Sequence, residues 1–190
     1  MSSHHIVREN QEPALLIDVL DAIDEESLGQ LLEWSPTLIS SDTSYDALES
    51  LGIKVDVLFL HGSVYDIDIQ EHTRIFPVEQ SYISSALQYL VENGHRAVNV
   101  ITDHIPFELL LYYADKLDMV IISTTKRTVL VKSPYEKWKP QGEILRVVGS
   151  DQIRTHGLTA TGDNRYKTSL EGFFKIEFEQ PTYLFIEEER

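Results

Sequence analysis

Acidic residues and histidines stand directly after short apolar segments in the first half of the chain. Asp42 follows the apolar run TLIS after one serine, and Asp103 and His104 follow the run AVNVI after one threonine. A carboxylate at such a point can hold a divalent cation against phosphate oxygens, because hard cations prefer oxygen ligands. It can equally cap the helix that follows. Metal binding and helix capping therefore both remain open for Asp42, and capping is the alternative to a functional role for Asp103.

A polar segment offers a second group of possible metal ligands, namely Asp66, Asp68, Glu71 and His72. A hydrated surface loop explains the same composition, since connecting segments are usually polar and exposed. The chain has no cysteine, which excludes disulfides, thiolate zinc sites and a cysteine nucleophile. It also has no Gly-rich phosphate loop, Walker motif, Gly-x-Ser-x-Gly elbow or His-Glu-x-x-His motif.

The elements that must position these residues alternate in the first half of the chain. Strands are predicted over 13–20, 37–40, 55–60, 74–78, 97–101 and 119–123. Helices are predicted over 25–34, 44–52, 81–94 and 107–117. This alternation favours a mostly parallel sheet with flanking helices. In such sheets ligands bind beyond the carboxyl ends of the strands, which is where Asp42, His61 and Asp103 are expected.

The pattern changes to strands alone from about Arg127. Strands are predicted over 128–132, 143–148, 172–179 and 182–189, and 133–142 is interpreted as a linker or crossover. Apolar and charged residues alternate over 174–179, which is typical of a half-buried strand. We therefore expect an α/β fold with an N-terminal domain over 1–127 and a small antiparallel β-sandwich over 128–190.

The charge balance limits the possible partners. The chain has 16 basic and 31 acidic residues, a formal net charge of −15. Such a chain repels nucleic acids and anionic membranes, which require basic surfaces. A solvated acidic surface explains the imbalance, and selection of a cationic ligand or of metal-neutralised phosphates is the functional alternative. No apolar stretch approaches the roughly 20 residues that span a bilayer, and the first residues lack a secretory pattern, so we expect a cytoplasmic protein.

Five segments of the chain carry a resemblance to a known family. They are QEPALLIDVLDAIDEESLGQLLEWSPTLISSD, LGIKVDVLFL, ALQYLVENGHRAVNV, YEKWKPQGEILRVV and THGLTATGDN. In this order they resemble the framework of thiamine pyrophosphokinases, particularly bacteroidete-type members, over nearly the full length. The resemblance implies an enzyme that moves a pyrophosphoryl group from ATP to the hydroxyethyl oxygen of thiamine. It also implies Mg²⁺ held by aspartates at strand ends, and a homodimer with sites between the α/β domain of one subunit and the β domain of the other.

The sequence departs from the family pattern at the catalytic motifs. Asp42 matches the aspartate of the Asp-Gly motif, with Thr43 in place of the glycine. The Gly-Asp-Phe-Asp motif falls on residues 60–63, so His61 and Ser63 stand where the family has metal-binding aspartates. The Thr-Asp motif falls on residues 81–82, where Tyr82 replaces the aspartate. The resemblance therefore implies a kinase that has lost several of its Mg²⁺ ligands.

Two further family motifs are also altered. The Gly-Arg-Arg-x-Asp-His loop is shortened to residues 102–104, which keep Asp103 and His104 without the arginines. The Ser-Asn motif of the thiamine pocket keeps only Ser169. On the resemblance we expect Asp103, His104, Ser169 and His61 to bind substrate, and Asp42 to bind metal.

These departures predict a catalytically impaired protein that retains at most ligand binding, because phosphoryl transfer depends on neutralising phosphate charge. The first alternative is an active thiamine pyrophosphokinase whose Mg²⁺ site is rebuilt from Asp42, Asp66 and Glu79, with ATP and thiamine as substrates. The second is a regulatory protein of the same fold that binds another small ligand.

Overall fold

The structure, a computed structural model, describes residues 12–62 and 68–190. The candidate Asp66 therefore lies outside the described residues. The chain divides into two compact units, Met1–Thr124 and Thr125–Arg190. Acidic residues are concentrated in the first unit, which has 5 basic and 21 acidic side chains, whereas the second has 11 and 10. The charge imbalance of the chain is thus a property of its first unit.

The first unit contains a six-stranded parallel sheet. Its strands are β1 (Ala14–Ile17), β2 (Leu38–Ser41), β3 (Val57–Leu60), β4 (Arg74–Pro77), β5 (Ala97–Ile101) and β6 (Asp118–Ile122). They lie in the order β6-β5-β1-β2-β3-β4, and every neighbouring pair is parallel. The chain runs outward from β1 to β4 on one side, and from β5 to β6 on the other. The strand order therefore reverses between β1 and β5, the position at which α/β sheets open a crevice.

Helices accompany this sheet, as the alternating pattern predicts. They are α1 (Glu25–Leu32), α2 (Asp42–Ser50), α3 (Tyr82–Glu92) and α4 (Phe107–Tyr113). Asp24 caps α1 by accepting a hydrogen bond from the backbone N–H of Ser27 at 2.8 Å, and Ser81 caps α3 through Ser84 at 3.2 Å. Within the described residues no helix is long and apolar enough to cross a membrane.

The central strands of this sheet are covered on both faces, which explains their unbroken apolar sequences. All four residues of β1, β2 and β3 are buried. On one face Leu58 packs in a cluster with Tyr45 and Leu48 of α2. On the other face the ring of Phe59 contacts the rings of Tyr82 and Tyr89 of α3. The central strands β1, β2 and β3 thus lie between helices and are shielded from solvent.

The second unit is an antiparallel sandwich of two sheets. Its strands are β7 (Lys126–Val131), β8 (Tyr135–Lys139), β9 (Ile144–Val148), β10 (Arg154–His156), β11 (Leu158–Gly162), β12 (Arg165–Thr168), β13 (Gly172–Glu177) and β14 (Leu184–Glu189). The larger sheet has the order β11-β12-β9-β14-β7, and the smaller the order β10-β13-β8. Phe174 and Ile176 of β13 pack against Leu145, Val147 and Ile186 of the larger sheet. The predicted fold class, α/β followed by a small antiparallel sandwich, is confirmed.

The interpretation of residues 133–142 as a linker is wrong, because they contain β8. Of the three inward positions of this strand, Tyr135 packs against the core, but the other two are taken by Lys137 and Lys139. Both ammonium groups pair with the buried carboxylate of Glu188 in β14, at 2.6 and 3.6 Å. The lysine stems supply the apolar contact while their charges are neutralised. The sequence pattern missed this strand because its buried face reads as charged.

Burial of His95 makes the stability of the first unit sensitive to acid. His95 is 6% exposed, and burial followed by the charge of Arg74 lowers its pKa. An unfolded histidine has a pKa of about 6.5. Between the pKa of folded His95 and about 6.5, the unfolded chain therefore binds more protons than the folded chain. The free energy of unfolding falls as the pH drops through this window. Above the window His95 is neutral in both states.

We predict that His95→Leu flattens the pH dependence of the free energy of unfolding between pH 8 and about 5. Urea unfolding at several pH values measures the slope. His72→Leu is the matched control because His72 is exposed, and the slope is expected to stay as in the original protein. An unchanged slope for His95→Leu contradicts the prediction.

Candidate functional site

Polar side chains gather at the carboxyl ends of the parallel strands, as the sequence predicts. Asp18 follows β1, Asp42 follows β2, His61 follows β3 and Asp103 follows β5 at one residue's distance. The registers of β1–β2, β2–β3 and β1–β5 bring these ends to one edge of the sheet. This edge, on both sides of the reversal in strand order, is the candidate site.

Asp42 and His61 are in direct contact at this edge. The backbone N–H of His61 donates to Oδ2 of Asp42 at 2.9 Å, and Nδ1 of His61 lies 3.3 Å from both carboxylate oxygens. Partial burial raises the pKa of Asp42, but the hydrogen bonds and charge of His61 outweigh it, so this pKa lies below the ordinary value of 3.8. Asp42 is therefore an anion at neutral pH, with both of its oxygens facing His61.

Asp42 is not the capping residue of α2. It is the first residue of the helix, and Ser41 occupies the capping position without a side-chain cap hydrogen bond. The hydroxyl of Ser41 instead donates to the carbonyl of Asp18 at 3.2 Å, and that of Ser44 donates to the same carbonyl at 2.9 Å. The first turn of α2 is thereby fastened to the end of β1, beside the carboxylate of Asp42.

Asp18 belongs to the site although the sequence analysis did not select it. Its Oδ2 accepts a hydrogen bond from the buried hydroxyl of Thr102 at 2.8 Å, which joins the end of β1 to the end of β5. The strand prediction over 13–20 placed Asp18 inside a strand, whereas β1 ends at Ile17. Had the strand been predicted to end at Ile17, Asp18 would have been recognised as a carboxylate directly after a strand, like Asp42.

Tyr82 occupies the position at which the family resemblance places an aspartate. It is 5% exposed, and its hydroxyl lies 2.9 Å from the carbonyl oxygen of Ile17 and 3.0 Å from that of Ile39. Burial, followed by the charges of Asp18 and Asp42, raises its pKa well above 10. The phenol is therefore a neutral donor that holds β1 and β2 together, and its oxygen is taken up by the backbone.

Two cavities flank these residues in the first unit. One, of about 280 Å³, is lined by Asp18, Asp21, Thr43 and Ser44 together with nearby apolar residues. The other, of about 130 Å³, is lined by Glu79 and by Phe59, Phe76 and Tyr89. Glu79 therefore opens onto a cavity different from the one beside Asp18, and its backbone N–H donates to Ser85 at 3.1 Å.

Of the remaining predicted residues, Asp103 and His104 lie at the β5 end of the same edge, and Ser169 lies in the second unit. Asp103 and His104 are exposed, and Oδ1 of Asp103 accepts a hydrogen bond from Thr124 at 3.2 Å. Asp103 does not cap α4, whose capping position is Pro106. In the second unit, Ser169 lines a cavity of about 450 Å³ with Gln141, Thr161, Lys167 and other residues, and its hydroxyl lies 2.9 Å from that of Thr159.

The donor set at the strand ends does not fit Mg²⁺ in the manner that the resemblance implies. Two carboxylates, Asp18 and Asp42, lie near Tyr82, and each accepts hydrogen bonds from protein donors. Over residues 12–62 and 68–190, no group of three or more aspartates, glutamates or histidines is placed to hold a metal ion. Imidazole is a poor Mg²⁺ ligand, since this ion prefers oxygen.

Comparison with known proteins identifies the fold. No protein-family model matches the chain, and no curated protein matches its sequence significantly. Solved structures do match. Thiamine pyrophosphokinase of Bacillus subtilis superposes with a TM-score of 0.67 at 14% identity, over 92% of this chain and 98% of that protein. The thiamine pyrophosphokinase of Geobacillus thermodenitrificans superposes with a TM-score of 0.68 at 13% identity, over 93% of this chain and 97% of that protein. The Candida albicans enzyme superposes with a TM-score of 0.66 at 11% identity, over 93% of this chain and 89% of that protein.

These likenesses show that the chain has the fold of thiamine pyrophosphokinases. The high coverage of both chains means that the fold is shared from end to end, including the β-sandwich. The residues at the strand ends, rather than the fold, must therefore decide what chemistry the chain performs.

We predict that Tyr82→Phe lowers the free energy of unfolding by about 0.5–1.5 kcal/mol, because the buried hydrogen bond that the single O–H of Tyr82 donates to the carbonyl oxygens of Ile17 and Ile39 is lost. Tyr89→Phe on the same helix is the matched control. The hydroxyl of Tyr89 is buried and has no hydrogen-bond partner among the described residues, so its removal is expected to be neutral or stabilising. Urea unfolding measures both variants. Equal losses for the two would contradict the assigned role of Tyr82.

We also predict that the contact with His61 sets the ionisation of Asp42. Carboxyl-detected NMR titration is expected to give Asp42 a pKa below 3.8, and His61→Ala is expected to raise it, since the imidazole contacts are lost while the N–H bond remains. His72→Ala serves as the control and should leave the titration of Asp42 unchanged. A pKa of Asp42 at or above 3.8 in the original protein would contradict the prediction that His61 lowers it.

Proposed function

Because the chain has the fold of thiamine pyrophosphokinases, we propose that it is a catalytically impaired relative of these enzymes that keeps at most the binding of a small ligand, thiamine or a nucleotide. The observation that carries the proposal is the contact between Asp42 and His61. Asp42, which matches the aspartate of the family's Asp-Gly motif, directs both oxygens to His61, a histidine that stands where the family has another aspartate.

Transfer of a pyrophosphoryl group requires neutralisation of the phosphate oxygens, which clustered carboxylates achieve by holding metal ions. Here the positions of three family aspartates carry His61, Ser63 and Tyr82. Each electrostatic contact aimed at transition-state charge is typically worth on the order of 10²–10³ in rate. Even with strong non-additivity, losses of this size support an inactive or very slow enzyme.

The neighbouring residues support a retained binding site. The cavity of about 280 Å³ beside Asp18 is lined by Thr43 and Ser44 of the first turn of α2. Backbone N–H groups at a helix start favour anions, while the carboxylates of Asp18 and Asp21 oppose them. This mixed lining suits a ligand with polar groups of both kinds better than a bare triphosphate.

An active enzyme with a rebuilt metal site is the second candidate function. The observation that favours it is that Asp18 and Asp42 directly follow the neighbouring parallel strands β1 and β2, since Mg²⁺ can be held by two carboxylates together with substrate phosphates. This candidate uses Asp18 in place of the Glu79 that the sequence analysis chose, because Glu79 lines another cavity.

We further propose that the chain forms a homodimer. The outer face of the smaller sheet in the second unit exposes Trp138 directly opposite Phe173, at 48% and 75% of their surfaces. A paired aromatic patch of this kind commonly marks a contact surface between proteins.

We predict that incubation with thiamine, ATP and Mg²⁺ yields thiamine diphosphate at a rate at least 10³-fold below that of the Bacillus subtilis enzyme. Product is measured by chromatography, with the folded state verified by circular dichroism. Turnover comparable to that enzyme, abolished by Asp18→Asn or Asp42→Asn, would overturn the proposal and support the rebuilt site. Calorimetry with thiamine and with adenine nucleotides then tests retained binding independently of turnover.

A further inference from the structure

Strand β11 forms an open edge of the larger sheet in the second unit. Among the described residues it pairs with β12 and with no other strand. Edge strands of natural proteins are usually protected from further pairing by charges, prolines or short length. The edge strands of the smaller sheet follow this rule, because β8 is flanked by Pro134 and Pro140, and β10 is three residues long. Strand β11 has the sequence LTATG and carries neither a charge nor a proline.

Two residues of β11 direct their backbone groups toward the open edge. The N–H and C=O groups of Thr168 in β12 bond to residues 142–143, which lead into β9. Since successive residues of an antiparallel strand face opposite neighbours, the preceding residue of β12 faces β11 and bonds to Thr159 opposite it. The N–H and C=O groups of Leu158 and Ala160 therefore point away from β12. The irregularity of this ladder lies beyond Ala160 and does not disturb them.

The two faces of the sheet beside this edge differ in charge. On the outer face Thr159 lies opposite Lys167, and Arg165 lies two residues before Lys167 on the same face of β12. Both cations are exposed, and neither forms an ion pair within the part of the chain that the structure describes. On the inner face Leu158 and Tyr166 pack against the core of the sandwich. An added strand would thus extend a basic outer face and an apolar inner face.

A cavity of about 450 Å³ adjoins the outer face of β11. Its lining includes Thr159, Thr161 and Lys167, together with Gln141 and Ser169. Their hydroxyl, amide and ammonium groups can all donate hydrogen bonds, and none of the described residues that line the cavity is acidic. A carboxylate side chain that projects from an added strand onto this face would therefore find donors and a positive charge.

From these features we propose that β11 accepts an extended segment of another protein as an additional strand, and that this segment alternates acidic with apolar residues. The free backbone groups supply the pairing, and the alternating side chains match the basic outer face and the apolar inner face. A second copy of this chain fits less well, because β11 carries no acidic residue to meet Lys167 and Arg165. This inference goes beyond the proposed function, since it concerns a protein partner and needs neither ATP nor thiamine.

The test titrates blocked peptides into the full chain without thiamine, nucleotide or Mg²⁺, and follows binding by ¹H–¹⁵N NMR. The peptide Glu-Val-Glu-Val-Glu is expected to give saturable shifts centred on β11. It should also slow hydrogen exchange at the amides of Leu158 and Ala160, because both acquire a strand partner. Two control peptides are expected to bind roughly tenfold more weakly or not at all. Lys-Val-Lys-Val-Lys reverses the charge, and Glu-Glu-Glu-Val-Val keeps the composition without the alternation.

A proline substitution tests the backbone pairing. Ala160→Pro removes an N–H that faces the open edge and leaves the bonds to β12 in place, and proline is tolerated at such edge positions. It is expected to weaken binding of the alternating acidic peptide roughly tenfold. Ala160→Val is the matched control, because it changes the same side chain but keeps the N–H, and it should retain the affinity.

A charge substitution tests the outer face. Lys167→Gln is expected to weaken binding of the acidic peptide roughly two- to fivefold, by loss of one exposed positive charge. Lys116→Gln makes the same change at an exposed position of the first unit and should leave the affinity unchanged. Circular dichroism verifies that each variant is folded.

Several results would overturn the inference. They are the absence of saturable shifts, shifts centred outside β11, equal binding of the three peptides, and equal affinity of the Ala160→Pro and Ala160→Val variants. A lower sedimentation coefficient of the Ala160→Pro variant without peptide would also overturn it, because a second copy of the chain would then occupy this edge. None of these readouts depends on thiamine pyrophosphokinase activity or on thiamine binding, so a failure here is distinguishable from a failure of the proposed function.

Discussion

A single phenolic hydroxyl organises the carboxyl ends of the parallel sheet. Tyr82, the first residue of α3, reaches the carbonyl oxygens that end β1 and lie within β2. In doing so it fixes the helix against the strands. Asp18 and Asp42 come directly after the two strands that this hydroxyl joins, β1 and β2. The hydroxyl of Tyr82 does not act as a metal ligand here, because it is buried and donates its hydrogen to backbone carbonyl oxygens.

The same edge of the sheet explains how a fold can persist while its chemistry changes. The packing of helices on both faces of β1, β2 and β3 depends on apolar residues well inside the sheet. The chemistry depends on the few residues just beyond the strand ends. At the strand ends His61 and Tyr82 are held by hydrogen bonds to Asp42 and to carbonyl oxygens of β1 and β2, while the interior of the sheet is packed by apolar residues. Fold and activity are therefore separable in this architecture.

The sequence allowed much of this arrangement to be predicted, because strand, helix and cap signals are local. The caps of α1 and α3 and the position of Asp42 after β2 all follow from neighbouring residues. The contact between Asp42 and His61 does not, since it joins residues 19 apart through the register of β2 on β3. Asp18 was missed because apolar residues continue past the end of β1. Strand β8 was missed because lysines occupy its inward face, and only the position of Glu188 reveals why.

The buried Glu188 has a consequence for how this sequence can change. It lies at 5% exposure among Lys137, Lys139 and Arg127, which come from strands of both sheets of the sandwich. Loss of both lysines would leave the buried carboxylate of Glu188 with only the more distant Arg127, which is strongly destabilising, whereas joint replacement by apolar residues is often tolerated. Substitutions at these four positions are therefore expected to occur together. Among descendants of this gene, covariation between positions 137, 139 and 188 should persist even where the strand-end residues diverge freely.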